Sequence, residues 1–377
     1  MKFRISKEDL NRGLNLSAKS MLTKSSLPVL ANIFIKAGGE GVEMVATSLE
    51  TAIKIKINCK VEREGETTIL GRALMEFVAQ LGEGEVLFEK LGEEVVVATG
   101  NTSARFATIS PDEFPAIPKV EGGRKVMLAA GDFSKNINRV FFCAAQDESR
   151  PMLAGVLFDG AKGGVNLVAT DGFRLGSSRV GTVKSEIGAV KLVLPARAVG
   201  EIPKIISDIG ADGEGNVEMV VSDNLSQVVF RIDNVEFTSR LIEGVYPQWE
   251  KLIPVNFATK VTVGREELIR AIKVAAIFAK DAGNIVKVKI FSEGKKGFVA
   301  VSSNTAQIGS SDSHIEANIE GNGGEIAFNF RYVLEALSSI DSDEVVFEMN
   351  ESLNPGRLSS AGGDSFFHII MPVRLQN

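Results

Sequence analysis

Several residue types that often carry chemistry are scarce in this chain of 377 residues. It has two cysteines, two histidines, two tyrosines and one tryptophan. Cys59 and Cys143 form neither a CxxC motif nor a cluster with histidine, so we expect two ordinary core thiols in a reducing compartment and no structural zinc. No apolar run approaches the roughly 18 residues that span a bilayer. Because Met1–Ser6 also lacks the apolar core of a signal peptide, we expect a cytoplasmic protein without membrane contact.

Patterns typical of enzymes are missing too. His314 and His368 lie in no recognisable acid–base or metal-binding arrangement, and no GxGxxG, P-loop or GxSxG motif stands in its proper strand and helix context. Asp171, within Ala169-Thr-Asp-Gly, invites a catalytic interpretation, but Asp-Gly is also typical of tight turns. The sequence therefore predicts no catalytic residues, no metal site and no cofactor.

Aromatic content and net charge limit the kinds of nucleic-acid binding to consider. Aromatic residues make up 7% of the chain and are not interleaved with cations, which disfavours a single-strand binder that stacks bases. The formal charge of −6 argues against a uniformly basic nucleic-acid binder. The placement of the cations is therefore more informative than their number.

The chain contains an internal repeat. Its opening segment, a short alternating strand that runs into a helix, recurs twice: Lys2–Leu10, Lys125–Phe133 and Lys260–Leu268. Two further matches, Leu27–Phe34 with Arg150–Leu157 and Val45–Thr47 with Val168–Thr170, share one offset of 123 residues with the first. A constant offset of this kind indicates a duplicated module.

A second segment of the module also recurs, and each copy follows a strand pattern and opens a helix: Gly71–Glu76, Ala196–Glu201 and Phe330–Glu335. We predict three tandem modules, at residues 1–124, 125–256 and 257–377. Each reads strand, helix, several strands, helix and several strands, with glycine-rich turns. The predicted fold class is α+β, with two helices on one face of a mainly antiparallel sheet.

The first helix of each module is readable in detail. Ser6-Lys-Glu-Asp9 resembles an N-terminal capping signal. Apolar residues at helical spacing then predict a buried stripe, namely Leu10, Leu14 and Met21 in module 1, Phe133 and Ile137 in module 2, and Leu268 and Ile272 in module 3.

Cations recur at matched positions on the opposite face. The first helices carry Arg12, Lys135 and Arg270, the second helices carry Arg72, Arg197 and Arg331, and further cations at helical spacing are Lys19, Lys204, Lys273 and Lys280. A single surface cation is usually a solvated charge, and each second-helix arginine has a glutamate four residues later that can pair with it. The repetition favours a surface that meets phosphates without reading bases.

Four stretches carry a resemblance that spans essentially the whole chain: Ala169–Leu175, Tyr246–Pro254, Phe328–Tyr332 and Met371–Leu375. In order and spacing they resemble the beta sliding clamp family of bacterial DNA polymerase III. The resemblance implies a DNA clamp fold and a head-to-tail homodimer that closes into a ring around duplex DNA. It also implies a processivity factor in DNA replication, whose partners are double-stranded DNA, replicative and other DNA polymerases, the clamp loader and repair proteins.

The resemblance further implies a hydrophobic groove for partner peptides between modules 2 and 3. Carried over position by position, the groove consists of Leu153, Thr170, Gly172, Phe173, Arg174, Leu175, Pro247, Leu252, Tyr332, Met371, Pro372, Val373, Arg374 and Leu375. Apolar walls that include methionine suit varied ligands. Phe173 stands where relatives often have histidine, and Lys251-Leu252 departs from a more basic pair, so the peptide preference of this chain is open.

For DNA, the resemblance adds Lys24 and Arg150 to Arg12, Lys19, Lys135, Arg197, Lys204 and Arg270. For the dimer interface it implies Phe106 on one side and Ile277 with Phe278 on the other. One alternative stays open, a monomeric three-module scaffold that does not enclose DNA. The matched cations and the apolar interface residues favour the ring.

Overall fold

The structure is a computed structural model that describes residues 1–117, 120, 122–147, 149–161, 163–186, 188–211, 213, 215–280, 283–305, 308–363 and 365–374. The chain divides into two compact units. Unit 1 comprises Met1–Ser134, Gly181–Gly188 and Arg197–Ile242, and unit 2 comprises Lys135–Val180, Ala189–Ala196 and Glu243–Asn377. Leu375, predicted in the peptide groove, lies outside the described residues.

Six α-helices are present in the described part of the chain: α1 Lys7–Ala18, α2 Gly71–Gln80, α3 Ala130–Val140, α4 Ala196–Asp208, α5 Arg265–Ala279 and α6 Phe330–Ser338. Each predicted module contains two of them, separated by strands, as the repeat predicts.

The strands fall into three successive groups that follow the modules. The first group is β1 Lys2–Ser6, β2 Asn32–Gly38, β3 Gly41–Thr47, β4 Thr51–Asn58, β5 Lys60–Arg63, β6 Gly65–Leu70, β7 Glu85–Leu91, β8 Glu94–Thr99 and β9 Thr102–Ile109. The second is β10 Arg124–Ala129, β11 Gly155–Ala161, β12 Gly164–Thr170, β13 Arg174–Gly181, β14 Lys184–Ser185, β15 Lys191–Pro195, β16 Asn216–Val221, β17 Gln227–Ile232 and β18 Val235–Arg240. The third is β19 Thr259–Gly264, β20 Ile285–Glu293, β21 Lys296–Thr305, β22 Gly309–Gly321, β23 Gly324–Asn329, β24 Glu344–Met349, β25 Gly356–Ser360 and β26 Phe367–Ile370.

Each unit contains one continuous antiparallel sheet. The sheet of unit 1 has 14 strands in the order β14-β10-β16-β17-β18-β4-β3-β2-β6-β9-β8-β7-β1-β5. The sheet of unit 2 has 12 strands in the order β15-β11-β12-β13-β26-β25-β24-β19-β22-β21-β20-β23. The α+β class with antiparallel sheets is thus confirmed.

Strand pairing crosses the predicted module boundaries at two equivalent places. In unit 1, β18 of module 2 pairs with β4 of module 1, with Phe237 opposite Ile53. In unit 2, β26 of module 3 pairs with β13 of module 2, with Leu175 opposite Ile369. Because module 2 contributes strands to both sheets, the compact units do not coincide with single modules. The boundaries at residues 124 and 256 stay a prediction.

The apolar stripe predicted on the helices lies in the core. Leu10, Leu14, Phe133 and Ile137 have no exposed surface, and the equivalent Leu268 and Ile272 are also buried. Met21, at the end of the predicted stripe, is half-buried in the loop after α1. The predicted cap is present as well, since the Ser6 side chain accepts a hydrogen bond of 3.0 Å from the Asp9 N–H.

The two thiols differ in their surroundings. Cys143 is fully buried, as expected of a core thiol, whereas Cys59 is only half-buried. Among the described helices, none is both long and apolar enough to cross a membrane.

Candidate functional site

A tight turn precedes β13 and presents Phe173 to solvent. The Thr170 hydroxyl donates a 2.6 Å hydrogen bond to the Arg174 carbonyl and accepts one of 3.1 Å from the Gly172 N–H. The Asp171 carboxylate accepts the N–H groups of Phe173 and Arg174 at 2.8 and 3.0 Å. Gly172 has φ +93°, which favours glycine. Asp171 therefore shapes a turn, as the Asp-Gly sequence predicts, and 58% of Phe173 is exposed.

Arg174 fixes this turn to α6. Its guanidinium is paired with the Asp171 carboxylate at 3.2 Å and with Glu335, and it donates a 2.7 Å hydrogen bond to the Phe142 carbonyl. Tyr332 on α6 lies under the guanidinium, 4.6 Å from the ring centre. The helical spacing would allow Glu335 to pair with Arg331 within α6. Its pairing with Arg174 shows that the local spacing does not decide the partner.

The segment after β26 lies along this turn. The Met371 N–H donates a 2.8 Å hydrogen bond to the Phe173 carbonyl, and the Val373 N–H donates one of 2.8 Å to the Ala327 carbonyl. Met371 is 39% exposed, Pro372 and Val373 are half-buried, and Arg374 is exposed. The tail therefore adds an adaptable apolar side chain beside Phe173.

The segment between β18 and β19 supplies the remaining predicted residues. Tyr246 is buried, its hydroxyl donates a 3.5 Å hydrogen bond to the Val168 carbonyl, and burial raises its pKa. This anchor and the buried Trp249 leave Pro247 and Leu252 exposed.

All the described residues of the predicted groove belong to unit 2. Phe173, Leu252 and Met371 are exposed apolar residues, Leu153 is half-buried, and Thr170 and Leu175 are buried beneath the surface. The prediction missed the residues that support it, namely Phe142, Asp171, Tyr246, Trp249 and Glu335. Of these, only Asp171 and the Tyr246-Pro-Gln-Trp249 stretch stand out in the sequence.

Most of the predicted DNA-contacting cations are exposed. Arg12, Arg197, Lys204 and Arg270 project from helices, and Lys24 lies in the loop after α1. Arg12 pairs with Asp9 at 3.1 Å and Lys204 with Glu201 at 2.8 Å, each within its own helix.

Two predicted cations pair with carboxylates of neighbouring modules. Lys19 lies at the end of α1, is 16% exposed and pairs with Asp208 of α4 at 3.0 Å within unit 1. Lys135 of α3 pairs with Asp341, after α6, at 2.8 Å within unit 2. These ion pairs link neighbouring modules, and Lys19 has the least exposed side chain of the set.

Arg150 lies beside the turn of the predicted groove. Its guanidinium donates a 3.0 Å hydrogen bond to the Asp171 carbonyl and lies 3.8 Å from the Asp147 carboxylate. These contacts place Arg150 beside the groove, and its role in DNA contact stays a prediction.

The predicted interface residues are partly exposed. Phe106 on β9 contacts Phe77 of α2 edge to face, with ring centres 5.6 Å apart. On α5, Ile277 is 58% exposed beside the half-buried Phe278. Val274 and Ile308 add exposed apolar surface to unit 2.

The two histidines differ in exposure. His368 is 1% exposed, with its ring 3.5 Å from the Cys143 sulfur and 3.0 Å from the Ser339 hydroxyl, and burial lowers its pKa to about 3. His314 is exposed on β22, 3.4 Å from Asp312. No group of three or more potential metal ligands was found in the described part of the chain.

Comparison with known proteins decides the family. Three family models match successive parts of the chain: the N-terminal domain of the DNA polymerase III beta subunit at residues 1–118, the central domain at 127–248 and the C-terminal domain at 250–374. The chain belongs to the DNA polymerase III beta subunit family. Its three tandem domains are those of a bacterial sliding clamp, which confirms the predicted clamp fold and the resemblance.

Individual relatives agree over their whole length. Proteins named beta sliding clamp from Synechocystis and from Staphylococcus aureus are each 28% identical to this chain, with 100% and 99% of both chains covered. A DNA polymerase sliding clamp from Bacillus subtilis is 26% identical, covers 100% of both chains and has a TM-score of 0.93. The family assigns the chain to DNA replication, as a sliding clamp and processivity factor of DNA polymerase III. The name beta sliding clamp of the first two relatives refers to a clamp.

Proposed function

We propose that two copies of this chain associate head to tail into a closed ring that encircles duplex DNA without reading its sequence. The ring slides along DNA and tethers polymerases, the clamp loader and repair proteins through the groove around Phe173, Leu252 and Met371. The chain itself performs no catalysis and works in the cytoplasm.

The repeated strand junction is the observation that carries the ring. β4 starts four residues after Thr47, and β13 starts four residues after the equivalent Thr170. Each of these strands pairs with the last strand of the next module, β4 with β18 and β13 with β26. The corresponding strand of module 3 is β22, and the last strand of module 1 is β9.

Both of these strands have an edge available for pairing. Along Gly309–Glu316, β22 pairs with β21 on one side only, since β19 joins it from Ala317 onward. Along Thr102–Ala107, β9 pairs with β8 on one side only, since β6 joins it at Thr108 and Ile109. These edges are open in the part of the chain that the structure describes. A β22–β9 junction between two copies would complete the pattern, and two such heterologous junctions close a dimer.

Apolar side chains flank the two edges. Phe106 lies on β9 itself, and Phe278 lies near the start of β22, where a Cβ on Gly309 would be 3.8 Å from its ring. Association would remove Ile277 and Phe106 from water, which favours the dimer.

The exposed helix cations support sequence-independent DNA binding. The carboxylates that pair with Arg12 and Lys204 lie at the surface, with 40% of the Asp9 side chain and 26% of the Glu201 side chain exposed, and surface ion pairs contribute at most about 1 kcal/mol. Phosphates can therefore replace them at little cost. Cations spread over several helices hold a duplex by counterion release and without base contacts, as sliding requires.

Two measurements test the proposal. Sedimentation equilibrium should give a particle of twice the 40.4 kDa chain mass. After loading onto a nicked DNA circle, the protein should be retained at high salt and should be released once the circle is linearised. A monomer at micromolar concentration would favour the monomeric scaffold, and equal retention on both DNA forms would exclude topological binding.

A further inference from the structure

Unit 1 contains a cavity beside a strand junction that is equivalent to the junction beside the peptide groove of unit 2. Its volume is about 470 Å³, within the range of ligand-binding pockets, and its lining includes Phe34, Val45, Ala52, Phe114, Ile117 and Val229. It adjoins the β4–β18 junction, as the groove adjoins the equivalent β13–β26 junction.

The offset of 123 residues relates the strands beneath the cavity to the strands at the groove. Strands β2, β3 and β4 begin at Asn32, Gly41 and Thr51, and β11, β12 and β13 begin 123 residues later. Phe34 is paired with Val45 as Leu157 is paired with Val168. At the next position, Ala52 corresponds to Leu175, which we place in the groove.

The turn beside the groove is repeated too. The Thr47 hydroxyl donates to the Thr51 carbonyl at 2.9 Å and accepts the Leu49 N–H at 3.0 Å, as Thr170 does with Arg174 and Gly172. Leu49 even takes the left-handed conformation of Gly172, with φ +73°. The two sites therefore share backbone geometry as well as register.

The two clefts are bordered by similar connecting segments. Phe114-Pro115 follows β9 and borders the cavity of unit 1, and Tyr246-Pro247 follows β18 at the groove of unit 2. The Phe114 ring lies 5.4 Å from that of Phe34 and closes one side of the cavity. In the described part of the chain, no hydrogen bond engages the backbone N–H groups of Ala116 and Ile117. Free backbone groups beside an apolar cleft suit an extended peptide.

The differences between the two clefts indicate the size and charge of the side chain that the cavity of unit 1 would bind. Alanine at position 52 leaves space that Leu175 fills in unit 2, so a large side chain fits there. The charges at the other end of the cavity neutralise one another, with Lys54 at 2.8 Å and Arg231 at 3.9 Å from Glu236. A neutral, apolar residue is favoured over a charged one.

We propose that this cavity is a second peptide-binding site, which takes a short extended segment of a partner protein with one large apolar side chain over Ala52. The inference rests on the proposed peptide function of the groove in unit 2. It does not require the ring.

Methyl NMR of the intact chain can report on both sites at once. With acetyl-Ala-Phe-Ala-amide as the probe, the methyl signals of Val45, Ile117 and Val229 should shift and saturate. Ala52→Leu, which fills the cavity with the side chain of the counterpart, should weaken this binding at least tenfold. Ala79→Leu, at an exposed position of α2, is the matched control and should bind like the wild type. If Ala52→Leu disturbs the remaining methyl spectrum, Thr238→Trp fills the cavity from β18 instead.

Three results would overturn the proposal. The first is the absence of saturable shifts at Val45, Ile117 and Val229. The second is unchanged affinity in a folded cavity-filled variant. The third is equal binding of N-benzylacetamide, because that molecule has an aromatic ring but no peptide chain to pair with the backbone. Shifts confined to Leu252 and Val373 would refute the second site and leave the groove of unit 2 intact.

Discussion

The guanidinium carbon of Arg174 lies 4.6 Å above the ring of Tyr332. This contact joins the turn before β13 to α6 and so connects two modules within unit 2. Since Arg174 also pairs with Asp171, one side chain holds both the shape of the turn and its position.

Replacing Arg174 should damage both stability and peptide binding. Arg174→Ala leaves the nearly buried Asp171 carboxylate without its cation, which should cost roughly 3 kcal/mol in the free energy of unfolding. Arg174→Lys should recover only part of the stability, because an ammonium cannot reproduce the planar fork over Tyr332. Urea unfolding and peptide titration measure the two effects. Wild-type behaviour of Arg174→Ala in both would disprove this role.

The tail after β26 should be needed for peptide binding but not for dimerisation. Deleting residues 371–377 removes Met371 and the 2.8 Å hydrogen bond to the Phe173 carbonyl, so the affinity for a groove-binding peptide should fall at least 100-fold. Sedimentation should still show a dimer. Deletion of residues 375–377 alone serves as the milder comparison. Undiminished affinity after the longer deletion would locate the groove elsewhere.

A charge at the proposed interface should dissociate the ring. Phe106→Asp and Ile277→Asp should each raise the dimer dissociation constant at least 100-fold, since each buries a carboxylate among apolar groups, and 100-fold corresponds to about 2.8 kcal/mol. Val183→Asp, at a residue that is 66% exposed, is the control and should leave the dimer unchanged. Dimerisation that survives both interface variants would argue against these residues.

Reversing helix charges should weaken DNA binding at every sequence equally. In Lys204→Glu with Arg270→Glu, the slope of log affinity against log salt should fall by about 0.9 for each phosphate that is no longer neutralised. Lys295→Glu, in the exposed turn between β20 and β21, provides a cation outside the helices for comparison. Equal effects of the helix and turn variants would show that the helix cations do not form the DNA-binding surface.

Acid should destabilise unit 2 through His368. Its pKa falls from the ordinary 6.5 to about 3 on burial, so below pH 6.5 the unfolded state binds a proton that the folded state excludes. Stability should therefore fall as the pH drops from 6.5 toward 3, by up to about 1.4 kcal/mol per pH unit from this group. His368→Gln should flatten that dependence in urea unfolding measured across pH. A slope identical to that of the wild type would rule out this cause.

Much of the fold could be predicted from the sequence, because the repeat is visible in it and because helix caps depend on residues that are close in the chain. Strands β2, β3 and β4 keep their spacing to β11, β12 and β13, and the Ser6 cap depends on neighbours in the chain. The pairing of β18 with β4 was not predictable in the same way. Which strand edges meet is decided by contacts between distant segments, and an alternating pattern does not specify them.

Contacts between distant segments also decide the partners of the candidate site residues, and the sequence does not specify these partners. The sequence presents Lys19 as a helix cation, and its ion pair with Asp208 of another module, at 3.0 Å, could not be predicted because the two residues are distant in the chain. The DNA contact that the resemblance implies for Arg150 stays a prediction, and the hydrogen bond that holds Arg150 to the Asp171 carbonyl could not be predicted from the sequence. Glu335 has the spacing to pair with Arg331, and the buried Arg174 is its partner instead.

The continuity of each sheet has a consequence for dissecting this chain. A fragment cut at the boundary of module 2 would carry β13 and β18 with bare backbone edges, since β26 and β4 would remain on the discarded pieces. Bare edges of that kind invite stacking between identical fragments and aggregation. Because each unit is assembled from three separate segments of the chain, a continuous fragment that contains one whole sheet also carries strands of the other, and only the intact chain should be free of such edges.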